Sequence, residues 1–347
     1  MVSQPELVRR HDIELLSIAP ELGAVVPSSR QTLTSMAIPK ERTRFYAMLR
    51  TRRISNGVVE FVRDALPEGG PWALVIDNVE HAEPTDLEFL AALVRRVDPA
   101  RLTVVVCSGT DQIPDDELLA VLGARAVVCD VAAGTGQSSP AGAASSATGD
   151  ADPAWAYVAS DCTSDDPELR AAYEALGPAD RARLHDRRAS QLGAADQQSL
   201  RLGAVPYHLE RGSDPGGAGA QALYAAGDYC LCMGFYTAVV DYGYRGLGLF
   251  DWREQEDLWW MFTIELTLAL SILSRTTEAE ELYDQARLRS TKPTVHVAAA
   301  YSTAMLYTRH NDPEDRNDQV AKAWLNSAIA TASLIADPSE RAFQSAF

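Results

Sequence analysis

Two short apolar runs constrain the fold of this chain more than any other feature. Trp72–Ile76 is an unbroken apolar run that ends in Asp77, and Leu102–Cys107 is a second, largely apolar run that ends in Ser108. Each run is too short for a helix and suits a strand of a parallel sheet that is buried on both faces. The two runs therefore predict two neighbouring parallel strands.

A helical pattern lies between these runs. Leucines recur at helical spacing from Leu87 to Leu93, and Thr85 or Asp86 can cap the start of the helix. Together the three segments predict one strand–helix–strand crossover. Before the first strand, the pattern from Pro5 to Ile18 predicts a helix. Farther along, Asp115–Leu122 predicts a short helix and Ala126–Val131 a third strand.

Polar residues follow each of the first two predicted strands. Asp77, Asn78 and Glu80 follow the first, and Ser108 and Thr110 follow the second. The carboxyl ends of parallel strands are where open α/β sheets bind ligands, and in nucleoside triphosphatases an acid there holds Mg²⁺. The alternative is an ordinary buried strand with an acid at its end, with Glu80 stabilising the helix that follows.

The segment Ala73–Leu87 resembles the Walker B region of the STAND signalling ATPases, the class of MalT-like and AfsR–LuxR-type bacterial regulators. It shares with them an apolar run, an acid, a second polar residue and a Glu-Pro helix start rich in leucine. The resemblance implies a partial P-loop-NTPase-like parallel α/β module over residues 1–131. It also implies site roles: Asp77 binds Mg²⁺, Asp77 and Glu80 are catalytic, and Asp77, Asn78, Ser108 and Thr110 bind Mg-ATP.

The sequence contains no phosphate loop of the form GxxxxGK[ST]. Because that loop supplies most of the triphosphate binding, we expect no cofactor to bind this chain by itself. Two explanations remain open. Either the ATPase is degenerate and Asp77 is a relic, or the chain is a fragment of a longer protein that binds Mg-ATP. We expect the second, with truncation at both ends.

Composition limits the class of partner. The formal net charge is −17, which argues against nucleic-acid binding. Five arginines between Arg42 and Arg53 are a local exception, and we interpret them as the solvated face of a helix. The five scattered cysteines indicate reduced thiols. No apolar run is long enough to span a membrane, and we expect a cytoplasmic protein without a membrane partner.

Residues 132–152 have no periodicity and are rich in Gly, Ser and Ala, which predicts a flexible linker. A helical connector is expected over residues 153–216. Within it, Tyr173–Ala189 and Val205–Gly212 resemble segments of STAND regulators that precede their repeats. The winged-helix module of that family is missing here, since the linker stands in its place.

Internal repetition dominates the remainder, residues 217–347. Ala238 with Tyr242, Ala279 with Tyr283, and Ala321 with Leu325 recur at spacings of 41 and 42 residues. Each group lies on the second helix of a predicted helical pair, where small alanines let helices approach closely. The first pair is predicted over Gly227–Gly234 and Phe235–Leu249. The pattern resembles a tetratricopeptide-type α-solenoid. The predicted fold class is therefore α/β followed by all-α.

Aromatic residues are the candidates for binding a partner on this solenoid. We predict this role for Trp259, Trp260, Tyr242 and Tyr283. Adjacent Trp259 and Trp260 lie about 100° apart on a helix, so one of them can line the concave surface as an anchor. The alternative is that both are buried between helical pairs.

Three functions fit these features. The first is a regulatory or scaffold protein that binds a protein or peptide through its helical repeats and has no catalytic activity of its own. The second is an ATP-hydrolysing switch of the STAND type, with its phosphate loop outside this chain. The third is an accessory protein that presents a peptide to a modifying enzyme. The oligomeric state does not follow from the sequence.

Overall fold

The computed structural model describes residues 4–26, 28, 47–66, 72–109, 113, 115–130, 152–195, 197–309, 314 and 316–345. These residues are mostly helical, with one small parallel sheet. Thr110 and nearly all of the predicted linker lie outside the described residues.

The chain divides into two compact units. The first contains Met1–Ser28, Ile54–Asp196 and Arg211–Ser213, and the second contains Ser29–Arg53, Gln197–Glu210 and Asp214–Phe347. The predicted connector, residues 153–216, is thus divided between the two units.

The first unit combines the sheet with several helices. Its elements are α1 (Pro5–Arg10), α2 (Asp12–Ile18), a 3₁₀ turn (Pro20–Ala24), α3 (Ala47–Ala65, in this unit from Ile54), β1 (Trp72–Ile76), α4 (Pro84–Arg96), β2 (Leu102–Val106), α5 (Asp116–Arg125), α6 (Pro153–Ala159), α7 (Pro167–Glu174) and α8 (Pro178–Gly193). Proline begins five of these helices, as suits a first position whose N–H has no helical acceptor. Asp115, Asp152 and Asp166 cap α5, α6 and α7 by accepting backbone N–H bonds.

Strands β1 and β2 pair in parallel, with Trp72 opposite Leu102 and Ile76 opposite Val106. The predicted strand–helix–strand order is therefore present. One face of the sheet packs on α3, α4 and α5 through two apolar clusters that contain Leu102 and Ile76. The other face is open, and Val75 on it is 62% exposed. The prediction of burial on both faces is wrong, because within the described residues helices cover one face only.

Three local predictions need correction. The helix between the strands begins at Pro84 after Glu83, so neither Thr85 nor Asp86 is its cap. The described part of the predicted third strand, residues 126–130, forms no strand, and Val127 and Val128 are 87% and 86% exposed. The expected helix from Pro5 to Ile18 is interrupted at His11, which separates α1 from α2.

The second unit is helical throughout its described part. Its elements are α9 (Gln198–Leu202), α10 (Ala204–Leu209), a π-helical turn (Pro215–Gly219), α11 (Ala220–Met233), α12 (Tyr236–Leu247), α13 (Glu256–Ile272), α14 (Thr276–Arg289), α15 (Pro293–Arg309), α16 (Asp318–Ala332) and α17 (Pro338–Ser345). From α11 to α17, each helix packs against the next along the chain. Gly234, with φ of 83°, ends α11 in the left-handed conformation that glycine favours.

Small residues allow close helix packing in this unit. The repeated alanines Ala238, Ala279 and Ala321 are buried. Gly246 of α12 lies against Phe262 of α13, and a Cβ at position 246 would come within 2.3 Å of that ring. The alanine positions thus have the packing role that the sequence predicts, while the solenoid of helical pairs remains a prediction. The first helix is longer than predicted and begins at Ala220 rather than Gly227.

No helix in the described ranges is both long enough and apolar enough to cross a membrane.

Candidate functional site

The carboxyl ends of β1 and β2 bring the predicted polar residues to one edge of the sheet. Asp77 follows β1 directly and is exposed. Its Oδ1 atom accepts the backbone N–H of Asn78 at 3.0 Å. Asn78 has a φ of 53°, a left-handed conformation that asparagine tolerates better than most residues. The turn after β1 therefore projects the Asp77 side chain into solvent.

Glu80 links the two strand ends. Its Oε1 atom accepts the backbone N–H of Gly109 at 2.8 Å, and Ser108 donates a side-chain hydrogen bond to the same carboxylate. Desolvation acts to raise the pKa of Glu80, but the N–H groups of Glu80 and Gly109 and the Ser108 hydroxyl together hold the pKa below its ordinary value. A carboxylate with a lowered pKa is a weak base. Glu80 is thus better suited to anchoring the Ser108–Gly109 loop than to activating water.

These residues supply little of a nucleotide site. The described chain contains no group of three or more His, Cys, Asp or Glu side chains that could hold a metal ion. Of the described residues at this edge, Asp77 is the exposed carboxylate that could bind Mg²⁺, and Ser108 is engaged by Glu80. No phosphate-binding loop is present in the sequence. Among the described residues, this edge therefore supplies one candidate ligand of Mg²⁺ and no lysine or arginine for the phosphates of ATP.

The four predicted partner-binding aromatics contribute to the interior of the second unit. Tyr242, Tyr283 and Trp259 are buried, and Trp260 is half-buried. The Tyr242 hydroxyl donates to the carbonyl of Leu202. Burial raises the pKa of Tyr283, and its hydrogen bonds with Thr267 and Ser302 oppose this only in part. The prediction of surface anchors is wrong for the three buried residues.

Both adjacent tryptophans find apolar neighbours because α13 packs on more than one side. Trp259 belongs to a cluster with Ala286 and Val295, and Trp260 packs against that cluster and against the main core of the unit. Their ring centroids are 6.2 Å apart. The alternative weighed from the sequence, burial between helices, describes them better than an exposed anchor.

An exposed apolar stripe on α13 was not predicted. Between Leu258 and Ile272, Glu265 is the only charged residue, a composition typical of a helix buried on all sides. Nevertheless Met261 and Ile264 are 42% and 39% exposed, and Leu268 is half-buried. The spacing of these residues places them on one face of the helix.

Helix α11 lies beside this stripe. The Tyr224 ring meets the Phe262 ring edge to face at 5.5 Å, and its hydroxyl donates to the carboxylate of the buried Glu265. Ala225, Asp228 and Cys232 follow Tyr224 on α11 at solvent-accessible positions, and Asp228 and Cys232 act electrostatically on the Tyr224 hydroxyl. We define the α11–α13 face by six residues: Ala225, Asp228, Cys232, Met261, Ile264 and Leu268.

The charge of the α11–α13 face is entirely negative. Neither α11 nor α13 contains a lysine or arginine, and Asp228 and Glu265 lie on or directly under the face. Burial raises the pKa of Tyr224, and the charges of Glu265 and Asp228 raise it further. Helix α14, by contrast, carries mixed charges, with Glu278, Glu280, Glu281, Asp284, Arg287 and Arg289. The contrast in charge between α13 and α14 is visible in the sequence, but by itself it predicts a buried α13 rather than an exposed face.

Comparison with known proteins gives no matching family model, no similar curated protein and no similar solved structure. The resemblance to STAND ATPases therefore remains a prediction from the motif.

Proposed function

We propose that this chain is a regulatory or scaffold protein whose second unit binds a partner protein at the α11–α13 face. The observation that carries the proposal is the exposure of Met261 and Ile264 on a helix with the composition of a buried one. An exposed apolar patch in a folded protein is typical of an interaction site. Methionine suits such a site because its flexible side chain adapts to different surfaces.

The chemistry of the face specifies the partner segment. Apolar side chains between two helices suit an amphipathic helix that binds through its own apolar stripe. Asp228 and Glu265 are the charges at the face, and neither α11 nor α13 contains a lysine or arginine. We therefore propose that the partner helix carries basic residues beside its apolar stripe. Like-charge repulsion disfavours a second copy of this chain, whose net charge is −17.

The five free cysteines support a reducing compartment, and we propose the cytoplasm.

Site-specific photocrosslinking in cells that naturally express the chain tests this proposal. A photoreactive residue replaces Ile264, and the matched control replaces Leu288, which is 86% exposed on α14. We expect position 264, and not 288, to yield a crosslinked partner whose attached segment is an amphipathic helix with lysine or arginine. Equal crosslinking at both positions, crosslinking to a second copy, or an acidic segment would overturn the proposal.

A synthetic peptide with the sequence of the crosslinked partner segment allows the free energy of binding to be measured. Burying a side chain such as Ile264 contributes about 1.5–3 kcal/mol. Ile264→Glu should therefore weaken binding by at least tenfold, while Leu288→Glu should change it less than twofold. Fluorescence anisotropy of the labelled peptide measures both. Replacing the peptide's basic residues by glutamate should abolish binding.

A second proposal, a STAND-type ATP switch, is favoured by one observation. Asp77 and Ser108 follow neighbouring parallel strands, as in nucleotide-binding sheets. Calorimetric titration of this chain with Mg-ATP separates the two proposals. The scaffold proposal expects Asp77→Ala to leave the heat of the Mg-ATP titration unchanged, whereas binding that disappears in Asp77→Ala would favour the switch.

A further inference from the structure

A cleft of about 740 Å³ lies in the first unit between α1 and the carboxyl end of α3. Three arginines line it: Arg10 of α1, Arg63 of α3, and Arg101 directly before β2. The whole chain has a net charge of −17, so a concave surface with three guanidinium groups differs in charge from the rest of the chain. This arginine cleft, defined by Arg10, Arg63 and Arg101, is unrelated to the residues predicted from the sequence.

The carboxylates in the arginine cleft do not neutralise it. Glu6 is bonded to Arg9, which lies outside the cleft lining. Asp64 Oδ2 is 3.4 Å from Nη1 of Arg10 and 3.5 Å from Nε2 of His11. Both distances exceed those of ordinary hydrogen bonds, and the buried Nε2 of His11 has no hydrogen-bond partner within the described chain. Asp64 thus forms an ion pair with Arg10, whereas Arg63 and Arg101 have no carboxylate partner among the described residues.

The arginines keep donors available for a ligand. Arg63 makes no hydrogen bond or ion pair with any described residue. Arg101 uses Nη2 to donate to the carbonyl of Leu66 at 2.7 Å, which orients the guanidinium. Its other N–H groups remain available as donors to a ligand. Planar guanidinium groups bind the oxygens of phosphate in pairs of parallel hydrogen bonds.

We propose that the arginine cleft binds a phosphate-bearing small molecule. Its volume lies within the range of roughly 300–1,000 Å³ that is typical of small-molecule sites, so it has room for more than one phosphate. Arg101 directly precedes β2, and its carbonyl accepts the N–H of Trp72 at the start of β1, which places this side of the cleft at the amino ends of the strands, opposite the edge that carries Asp77. This site therefore does not depend on the nucleotide site predicted from the Walker B resemblance, or on the α11–α13 face.

Isothermal titration of the full chain tests the proposal with three probes: inorganic pyrophosphate, adenosine monophosphate and citrate. The buffer contains a chelator and little salt, so that no Mg²⁺ can bridge a phosphate to Asp77 and screening is weak. We expect both phosphate probes to bind, and citrate to bind more weakly. No heat with either phosphate, or tighter binding of citrate than of both phosphates, would overturn the proposal.

Variants then locate the binding. Arg63→Gln should weaken pyrophosphate binding by about tenfold or more, because it removes one charge-assisted hydrogen bond. The affinity of Arg63→Lys should lie between those of the unmodified chain and Arg63→Gln. Because Arg63 makes no hydrogen bond or ion pair with any described residue, we expect its replacement to leave the thermal stability of the chain unchanged. Arg125→Gln is the matched control, since Arg125 lies outside the cleft and donates to a backbone carbonyl as Arg101 does. Equal affinity in Arg63→Gln and Arg125→Gln would contradict the site, while Asp77→Ala should leave the affinity unchanged.

Discussion

Replacing Gly246 with alanine should destabilise the second unit, although alanine favours helices. The added Cβ would lie 2.3 Å from Cζ of Phe262, whereas ordinary contact begins at 3.4 Å, so the ring would have to move by about 1.1 Å. Phe262 is 2% exposed and meets Tyr224 and Phe250 with ring centroids 5.5 and 6.2 Å away, which leaves little room for movement. Such overpacking costs about 1–3 kcal/mol.

The gain in helix propensity offsets part of that cost. Inside a helix, alanine is more favourable than glycine by about 0.8–1.0 kcal/mol of free energy. We therefore expect a net loss of up to about 2 kcal/mol in the free energy of unfolding, or a fall in Tm of up to about 8 °C. Urea unfolding followed by tryptophan fluorescence measures it, since Trp252, Trp259, Trp260 and Trp324 lie in the second unit and only Trp72 and Trp155 in the first.

Gly227→Ala is the matched control for this substitution. Gly227 also lies within a buried helix, but its added Cβ would be 3.5 Å from Oε2 of Glu265 and 3.8 Å from Cβ of Tyr242, both ordinary contacts. Its replacement should be neutral or stabilise by up to about 1 kcal/mol. If Gly246→Ala proved as stable as Gly227→Ala, the close packing of α12 on α13 would be refuted.

Three further predictions concern the polar contacts. Tyr224→Phe should cost about 1–3 kcal/mol, because it removes a hydrogen-bond donor from the buried Glu265, and urea unfolding measures the loss. Glu80→Gln should lower the thermal stability of the first unit above a pH of about 4.5. Since the folded pKa of Glu80 is lowered, this difference from the unmodified chain should disappear as the pH falls through that folded pKa, which thermal melts at several pH values would show. Gly109→Ala should also loosen the sheet edge, because its Cβ would lie 2.9 Å from Oε1 of Glu80; faster amide exchange around residue 109 would report this.

Much of the local structure could be predicted from the sequence. The two strands and helices α4 and α5 follow from apolar periodicity and from residues such as Pro84 and Asp115, which act within one turn. The burial of Ala238, Ala279 and Ala321 follows from their repeated spacing. These signals are local, so they do not depend on how distant segments meet.

Predictions failed where the outcome depends on distant partners. Whether Val75 is covered depends on a second layer over the sheet, and whether residues 126–130 form a strand depends on a neighbour to pair with. Likewise, helical spacing shows that Trp259 and Tyr283 share faces with other apolar residues, but not which face meets another helix. The candidate site on α13 was missed for the same reason.

Two surfaces of this chain are proposed to bind ligands of opposite charge, and the net charge of the chain indicates neither. Excess carboxylate over the whole sequence predicts no nonspecific nucleic-acid binding, yet three guanidinium groups line one cleft. The α11–α13 face, by contrast, has few charges, and these are all negative. A ligand is recognised by the charge within about one Debye length, roughly 8–10 Å at physiological salt, rather than by the total. One acidic chain can therefore bind a basic helix at one surface and a phosphate at another, and the total charge predicts neither.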